Sequence, residues 1–441
     1  MKRSARTLPL VGGLAAAALA ATAAVAVADP APTVSRGIAI PAFYTPPTEL
    51  PGENGALVRT EPMPLALTPP GASGPLPGNA TRLMYRSTDA NGAPIAVTGV
   101  YIEPTAAWKG KGPRPLVGLA SGTMGQGDQC APSLALQTPL TFSDKTISVG
   151  YESLAVYRLL SRGIAVAVTD YAGLGTPDRV HTYAERFDQA HALLDVVRAA
   201  RRLPGTSLRG TSSVGLYGYS QGGGASAAAA ELQPSYAPDV RLAGSYVGAP
   251  PADLTEVIKG IDGSALAGAL GWAINGLVHD YPAVRPVLDA HISASGKEAL
   301  ADLSTMCVGD AILRYGFSNS KQWTTDGSSL AQIIAASPEV KKVLARERLG
   351  SLKPAGPVRV TTGVLDDIVP HAQVRRLAAD WCAKGANVTY APVSFPELGK
   401  GLLTNHLVPL LADQDAAVSW LGDRLGGKAA SSTCATLPKQ P

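Results

Sequence analysis

The sequence predicts an α/β chain, a mostly parallel sheet with helices on both faces and a long helical insertion. Three observations predict it. Apolar, β-branched runs alternate with helix-period stretches from about residue 95 to residue 250. The apolar run Val214–Tyr219 ends in a tight glycine-flanked turn at Ser220 and passes into small residues as far as Ala230, which reads as strand, turn, helix. Residues 251–350 then lose the alternation, and strand-like runs resume at Val358. That interval is too long for an ordinary connection. It reads as an inserted helical cap over one edge of the sheet.

Taken in order, the chain begins with Lys2, Arg3 and Arg6, an apolar stretch Leu8–Val25, and the small-x-small site Ala26-Val27-Ala28. This pattern predicts a signal peptide over 1–28 and a secreted, extracellular product. No later stretch is apolar for long enough to cross a bilayer, so no transmembrane segment is expected in the mature chain. Losing Lys2, Arg3 and Arg6 takes the net charge from +4 to about +1. No Lys/Arg run marks a nucleic-acid surface, so no nucleic-acid partner is expected. Residues 29–78 are rich in Pro, Gly and Thr and read as an extended N-terminal arm, laid over the domain or partly mobile.

The core follows in two parts, 79–250 and 351–427, around the cap at 251–350, with a tail over 428–441. Strands are expected at Thr81–Arg86, Ile95–Ile102, Arg114–Leu119, Ile164–Thr169, Leu242–Val247, Val358–Thr362 and Val388–Val393. Helices are expected at Tyr151–Arg162, closed by Gly163, and at Tyr183–Arg202. Further helices are expected at Ala265–Val278, at Pro338–Arg348 with Ser337 as cap, and at Val408–Trp420. With 46% hydrophobic residues, the chain can bury a large core.

The chemistry centres on Gly218-Tyr219-Ser220-Gln221-Gly222, the single G-x-S-x-G pattern in the chain. A nucleophilic serine needs a sharp, strained turn that lifts its hydroxyl above the sheet edge. Glycines on either side let neighbouring backbone come close. The helix that follows presents free N–H groups suited to an oxyanion.

A serine hydroxyl also needs a base and an orienting acid, and in this arrangement the chain order is Ser, acid, His. Asp366 follows the Val358–Thr362 strand and is the first choice of acid, with Asp367 the alternative because adjacent side chains point different ways. His406, after the last strand, is the expected base, whereas His371 follows the Asp pair too closely and reads as a cap or surface residue. His181, His191, His279 and His291 precede the acid, and their spacings match no metal cluster. No metal or cofactor is expected.

Two backbone donors are expected for the oxyanion. One is the N–H of Gln221. The other comes from the loop Gly122-Thr123-Met124-Gly125, with Thr123 chosen, although the same residues would also make an ordinary glycine-rich turn. Asp170, past the Ile164–Thr169 strand, is placed to face the active edge but reads first as a turn cap. Cys130, Cys307, Cys382 and Cys434 predict two disulfides in an exported chain, with three pairings open. No C-x-x-C occurs, which disfavours zinc or redox chemistry.

At Gly218–Gly222, at Asp366-Asp367-Ile368-Val369-Pro370, at Cys382-Ala383-Lys384-Gly385-Ala386-Asn387 and at Asp128-Gln129-Cys130-Ala131-Pro132-Ser133, the chain resembles the secretory lipase family. The likeness spans about residues 80–434. It implies an exported α/β-hydrolase with a helical lid, acting on acylglycerols or simpler esters. It implies a triad of Ser220, Asp366 and His406, and pairs Cys130 with Cys307 and Cys382 with Cys434. Some fungal relatives carry glycine after the nucleophile, where this chain has Gln221.

The expected function is a lipase working through an acyl-enzyme on Ser220, on a lipid or small ester substrate. The alternatives are a short-chain carboxylesterase or an acyltransferase, and from another class an inert binding protein on the same scaffold. Leu266, Leu270, Trp272, Ile274, Leu277 and Val278 either cover an acyl tunnel or meet an oil–water interface, or they pack the cap's own core.

Overall fold

The large sheet is built from strands whose side chains alternate between two apolar layers. Val117 and Leu119 face one layer, while Leu116 and Ala120 face the other. A computed structural model describes Met1 and residues 33–65, 76–143 and 145–441. The expected signal peptide therefore lies outside the described residues, apart from Met1.

Nine strands make the sheet: β1 (Leu57–Met63), β2 (Gly78–Thr88), β3 (Pro94–Pro104), β4 (Leu116–Ala120), β5 (Ala165–Thr169), β6 (Val214–Tyr219), β7 (Leu242–Gly248), β8 (Val358–Gly363) and β9 (Val388–Val393). Their spatial order is β9-β8-β7-β6-β4-β5-β3-β2-β1. The first six in that order run parallel, and β3, β2 and β1 pair antiparallel at one edge. This is the expected α/β-hydrolase fold class.

Helices cover both faces. The core helices are α1 (Pro132–Gln137), α2 (Ser153–Leu160), α3 (Arg186–Arg202) and α4 (Gln221–Tyr236). The interval between β7 and β8 holds α5 (Leu254–Ile261), α6 (Ala269–Asp280), α7 (Arg285–His291), α8 (Ala294–Leu303), α9 (Val308–Tyr315), α10 (Leu330–Ala336) and α11 (Pro338–Glu347). After it come α12 (His371–Ala383) and α13 (Thr404–Leu425). Helices α3, α4 and α12 pack on one face of the sheet, and α2 and α13 on the other. The insert joins the core layer on the α4 side, and the described residues from Thr33 onward form one compact unit.

Three differences from the sequence reading have physical causes. The arm is not only laid over the domain, because Leu57–Met63 pairs with β2 as the edge strand. Pro62 hid it, and an edge strand is where a proline is tolerated. Helix α13 begins at Thr404 rather than Val408, and its extra first turn carries His406. Helix α12 went unread, although Val374, Leu377, Ala378 and Trp381 bury one helical face.

The cysteines pair as Cys130–Cys307 and Cys382–Cys434. The first joins the segment after β4 to the start of α9 in the insert. The second ties the tail to α12, and the tail then lies against β9 through Thr433 N–H donating to the Val388 carbonyl at 2.8 Å. Replacing both Cys382 and Cys434 by Ser is expected to cost about 2–4 kcal/mol in urea unfolding under oxidising conditions.

Candidate active site

Parallel strands place their carboxyl ends at one edge, so the turns after β4, β6 and β8 meet there. The turn after β6 carries Ser220. Its φ is +58°, a left-handed value that is strained for a residue with a side chain. The Ser220 N–H donates to the Gly248 carbonyl at 2.9 Å, which holds the turn in place. The flanking glycines are forced by close approach. A Cβ on Gly218 would sit 2.0 Å from the Gly222 carbonyl oxygen. One on Gly222 would sit 2.0 Å from the Ala120 carbonyl oxygen.

Asp366 lies just past β8 and His406 in the first turn of α13. His406 Nδ1 is 2.7 Å from Asp366 Oδ2, and Nε2 is 2.9 Å from Ser220 Oγ. With Nδ1 donating to the buried Asp366 carboxylate, Nε2 is left to accept from the serine hydroxyl. The other oxygen of Asp366 accepts from the N–H groups of Ile368 and Val369 at 3.1 and 2.9 Å. Asp367 turns the other way and accepts the Gly401 N–H at 2.5 Å, tethering the loop that leads to His406. Tyr219 adds a further restraint, its hydroxyl donating to the His406 carbonyl at 2.7 Å.

Gln221 opens α4, so its N–H has no partner within the helix. Its side chain is fixed by two donations at 3.2 Å, to His181 Nε2 and to the Tyr183 carbonyl. His181 Nδ1 in turn donates to the Ala172 carbonyl at 2.8 Å. In the turn after β4, the Gly122 N–H donates to Glu152 at 2.8 Å, while the Thr123 N–H has no partner among the described residues. The Thr123 hydroxyl meets the Tyr183 hydroxyl at 2.8 Å.

Sequence reasoning missed the His181–Gln221 contact and the part played by Glu152, since neither has a local signature. Asp170 is a structural anchor: it accepts from the Ser133 N–H at 2.7 Å and from the Thr98 hydroxyl at 2.8 Å. His371 begins α12 and meets the Tyr390 hydroxyl at 3.2 Å.

A cavity of about 50 Å³ opens at Ser220 and Gln221 and is walled by Leu254, Ile258, Leu266, Leu270, Ala273 and Leu277. A second, apolar cavity of about 110 Å³ is lined entirely by the insert and shares Ile258, Ala273 and Leu277 as wall. The cap residues named from sequence are thus mostly interior. Trp272 is fully buried, its indole N–H donating to the Leu303 carbonyl at 2.8 Å. Away from the site, Glu185, Asp188 and Asp280 bring carboxylate oxygens within 4.8 Å of one another. Arg179 lies 3.6 Å from Asp188 and 3.8 Å from Asp280, and burial pushes Asp280 up to about 8. Arg179 is the cation set against that cluster.

The sequence matches the secretory lipase family over residues 136–433. A Mycobacterium tuberculosis protein named as a probable inactive lipase is 31% identical, over 80% of this chain and 75% of its own length. A secreted triacylglycerol lipase of Malassezia restricta is 29% identical, over 79% of this chain and 71% of its own. The closed state of Candida antarctica lipase A superposes with a TM-score of 0.74 at 21% identity, covering 89% of this chain and 87% of that one. The rice cell wall degrading esterase LipA of Xanthomonas oryzae gives 0.69 at 21% identity, covering 86% and 100%. At these identities the two structures speak for the fold.

Burial lowers His181 to about 4. Its folded value is depressed, so the stability tied to neutral His181 is present above the ordinary histidine range and lost as pH falls towards 4. H181N is expected to flatten that part of the acid slope, measured by urea unfolding at pH 7 and pH 5.

Proposed function

The chain belongs to the secretory lipase family, and from that premise we propose that it is a secreted lipase cleaving acylglycerols through an acyl-enzyme on Ser220. The observation that carries the reading is the pair of hydrogen bonds running from Ser220 through His406 to Asp366. Ser220 Oγ attacks the ester carbonyl while His406 Nε2 takes its proton. Asp366 keeps the proton on Nδ1 and stabilises the imidazolium that forms. The N–H groups of Gln221 and Thr123 receive the developing oxyanion. His406 then protonates the leaving alcohol, and water activated by the same imidazole releases the acid.

The apolar cavity at Ser220 supports an acyl chain as the group bound on the acid side, and the adjoining cavity of the insert extends that apolar path. In this reading residues 251–350 act as a cap on a core of 79–250 and 351–427. Leu365, Leu398, Leu402, Leu407 and Leu411 are exposed on the segments that carry Asp366 and His406. They support transient contact with a lipid–water interface. A second reading, an inert scaffold, takes its support from the name of the Mycobacterium relative. The hydrogen-bonded trio in this chain argues against it.

S220A is expected to lower p-nitrophenyl ester turnover by about 10⁴-fold or more, with D366N lowering kcat by about 10⁴. Wild-type turnover in S220A would remove the reading. Narrowing the shared wall with L277W is expected to reduce hydrolysis of long-chain esters far more than that of butyrate, measured across a series of acyl lengths.

A further inference from the structure

The turn after β4 is held by side chains that come from outside it. The Tyr171 hydroxyl donates to the Ser121 carbonyl. The Tyr151 hydroxyl donates to the Thr123 carbonyl at 2.9 Å. Between them, the Gly122 N–H donates to Glu152 Oε1 at 2.8 Å. This turn also lies against the start of α4, since a Cβ on Gly222 would meet Ala120 and Ser121 backbone.

Glu152 is buried at the start of α2, and no cation pairs with it among the described residues. A small cavity behind the turn, lined by Ser121, Met124, Ala135, Leu136 and Val168, puts the carboxyl in mostly apolar surroundings. A buried carboxyl without a counter-ion is costly, and a methionine would fill the same space without that cost. The acceptor is what methionine would lack. Burial pushes Glu152 up to about 7, with the Gly122 N–H the one contact drawing it back down.

We propose that Glu152 is a positioning residue for the oxyanion: by holding the Gly122 N–H it fixes the orientation of the next peptide, whose Thr123 N–H is the donor. This rests on the hydrolase reading above. Glu152 itself touches no reacting atom. Its carboxyl keeps the peptide plane from rotating as charge builds on the substrate oxygen, so its effect falls on the transition state and not on substrate binding.

The test uses the full-length protein and p-nitrophenyl butyrate. E152M is expected to lower kcat by about 10²–10³-fold, as loss of one oxyanion donor does, with KM within about threefold of wild type. Affinity for an alkyl trifluoromethyl ketone, whose serine adduct carries an oxyanion, is expected to fall in parallel. E152Q keeps an acceptor oxygen and is expected to hold kcat within about tenfold. A wild-type kcat in E152M, or a loss in E152Q equal to that in E152M, would overturn the proposal. Should E152M fail to fold, E152D decides, because its carboxyl is withdrawn by one methylene: a lower kcat at unchanged KM supports the proposal, and an unchanged kcat overturns it. Fluorophosphonate labelling of wild-type Ser220 separates the two levels, since an unlabelled, inactive wild type removes the hydrolase reading itself.

Discussion

The hydrogen bond between Ser220 Oγ and His406 Nε2 joins residues 186 positions apart. It forms only because two distant turns are held rigid at the same sheet edge. On one side Ser220 sits at a positive φ with its N–H on Gly248. On the other, His406 is oriented by Asp366 through the ring and by Tyr219 through the backbone. Tyr219 precedes the serine directly, so one short segment sets both partners.

That arrangement depends on how closely the backbone layers approach. Gly218 and Gly222 each leave room for a carbonyl oxygen where a Cβ would otherwise sit. The contact at Gly222 draws the end of β4 against α4. The turn that follows β4 is in turn braced by Tyr151, Glu152 and Tyr171. Thr123, Ser220, Gln221 and His406 therefore belong to one braced unit, whose parts come from five separate stretches of chain. Such preorganisation is what an oxyanion site requires.

The insert plays a different part. Its helices supply most of the apolar wall at Ser220, while the core supplies the polar groups. Leu266, Leu270 and Leu277 had three open assignments from sequence: cavity cover, an oil–water interface or cap core. Each of them lines the space at Ser220. An apolar helix face reads the same in a sequence whichever it meets, because periodicity records burial and not what lies opposite. The exposed leucines flanking His406 were equally unreadable: Leu398 and Leu402 sit in a loop, and Leu407 and Leu411 lie on α13, whose helical spacing does not say that they face solvent.

The sequence by itself determined the strand-turn-helix at Ser220, the order of serine, acid and histidine, and most of the sheet. These are carried by local residue pattern, where the chemistry of a few neighbouring side chains decides the outcome. Tertiary structure alone decided that Asp366 meets His406 while Asp367 holds Gly401, since two adjacent aspartates differ only in what surrounds them. It also decided that Leu57–Met63 completes the sheet and that Glu152 lies behind the β4 turn. Those outcomes depend on partners far away in the chain, and a residue's pattern carries no record of the surface it will be packed against.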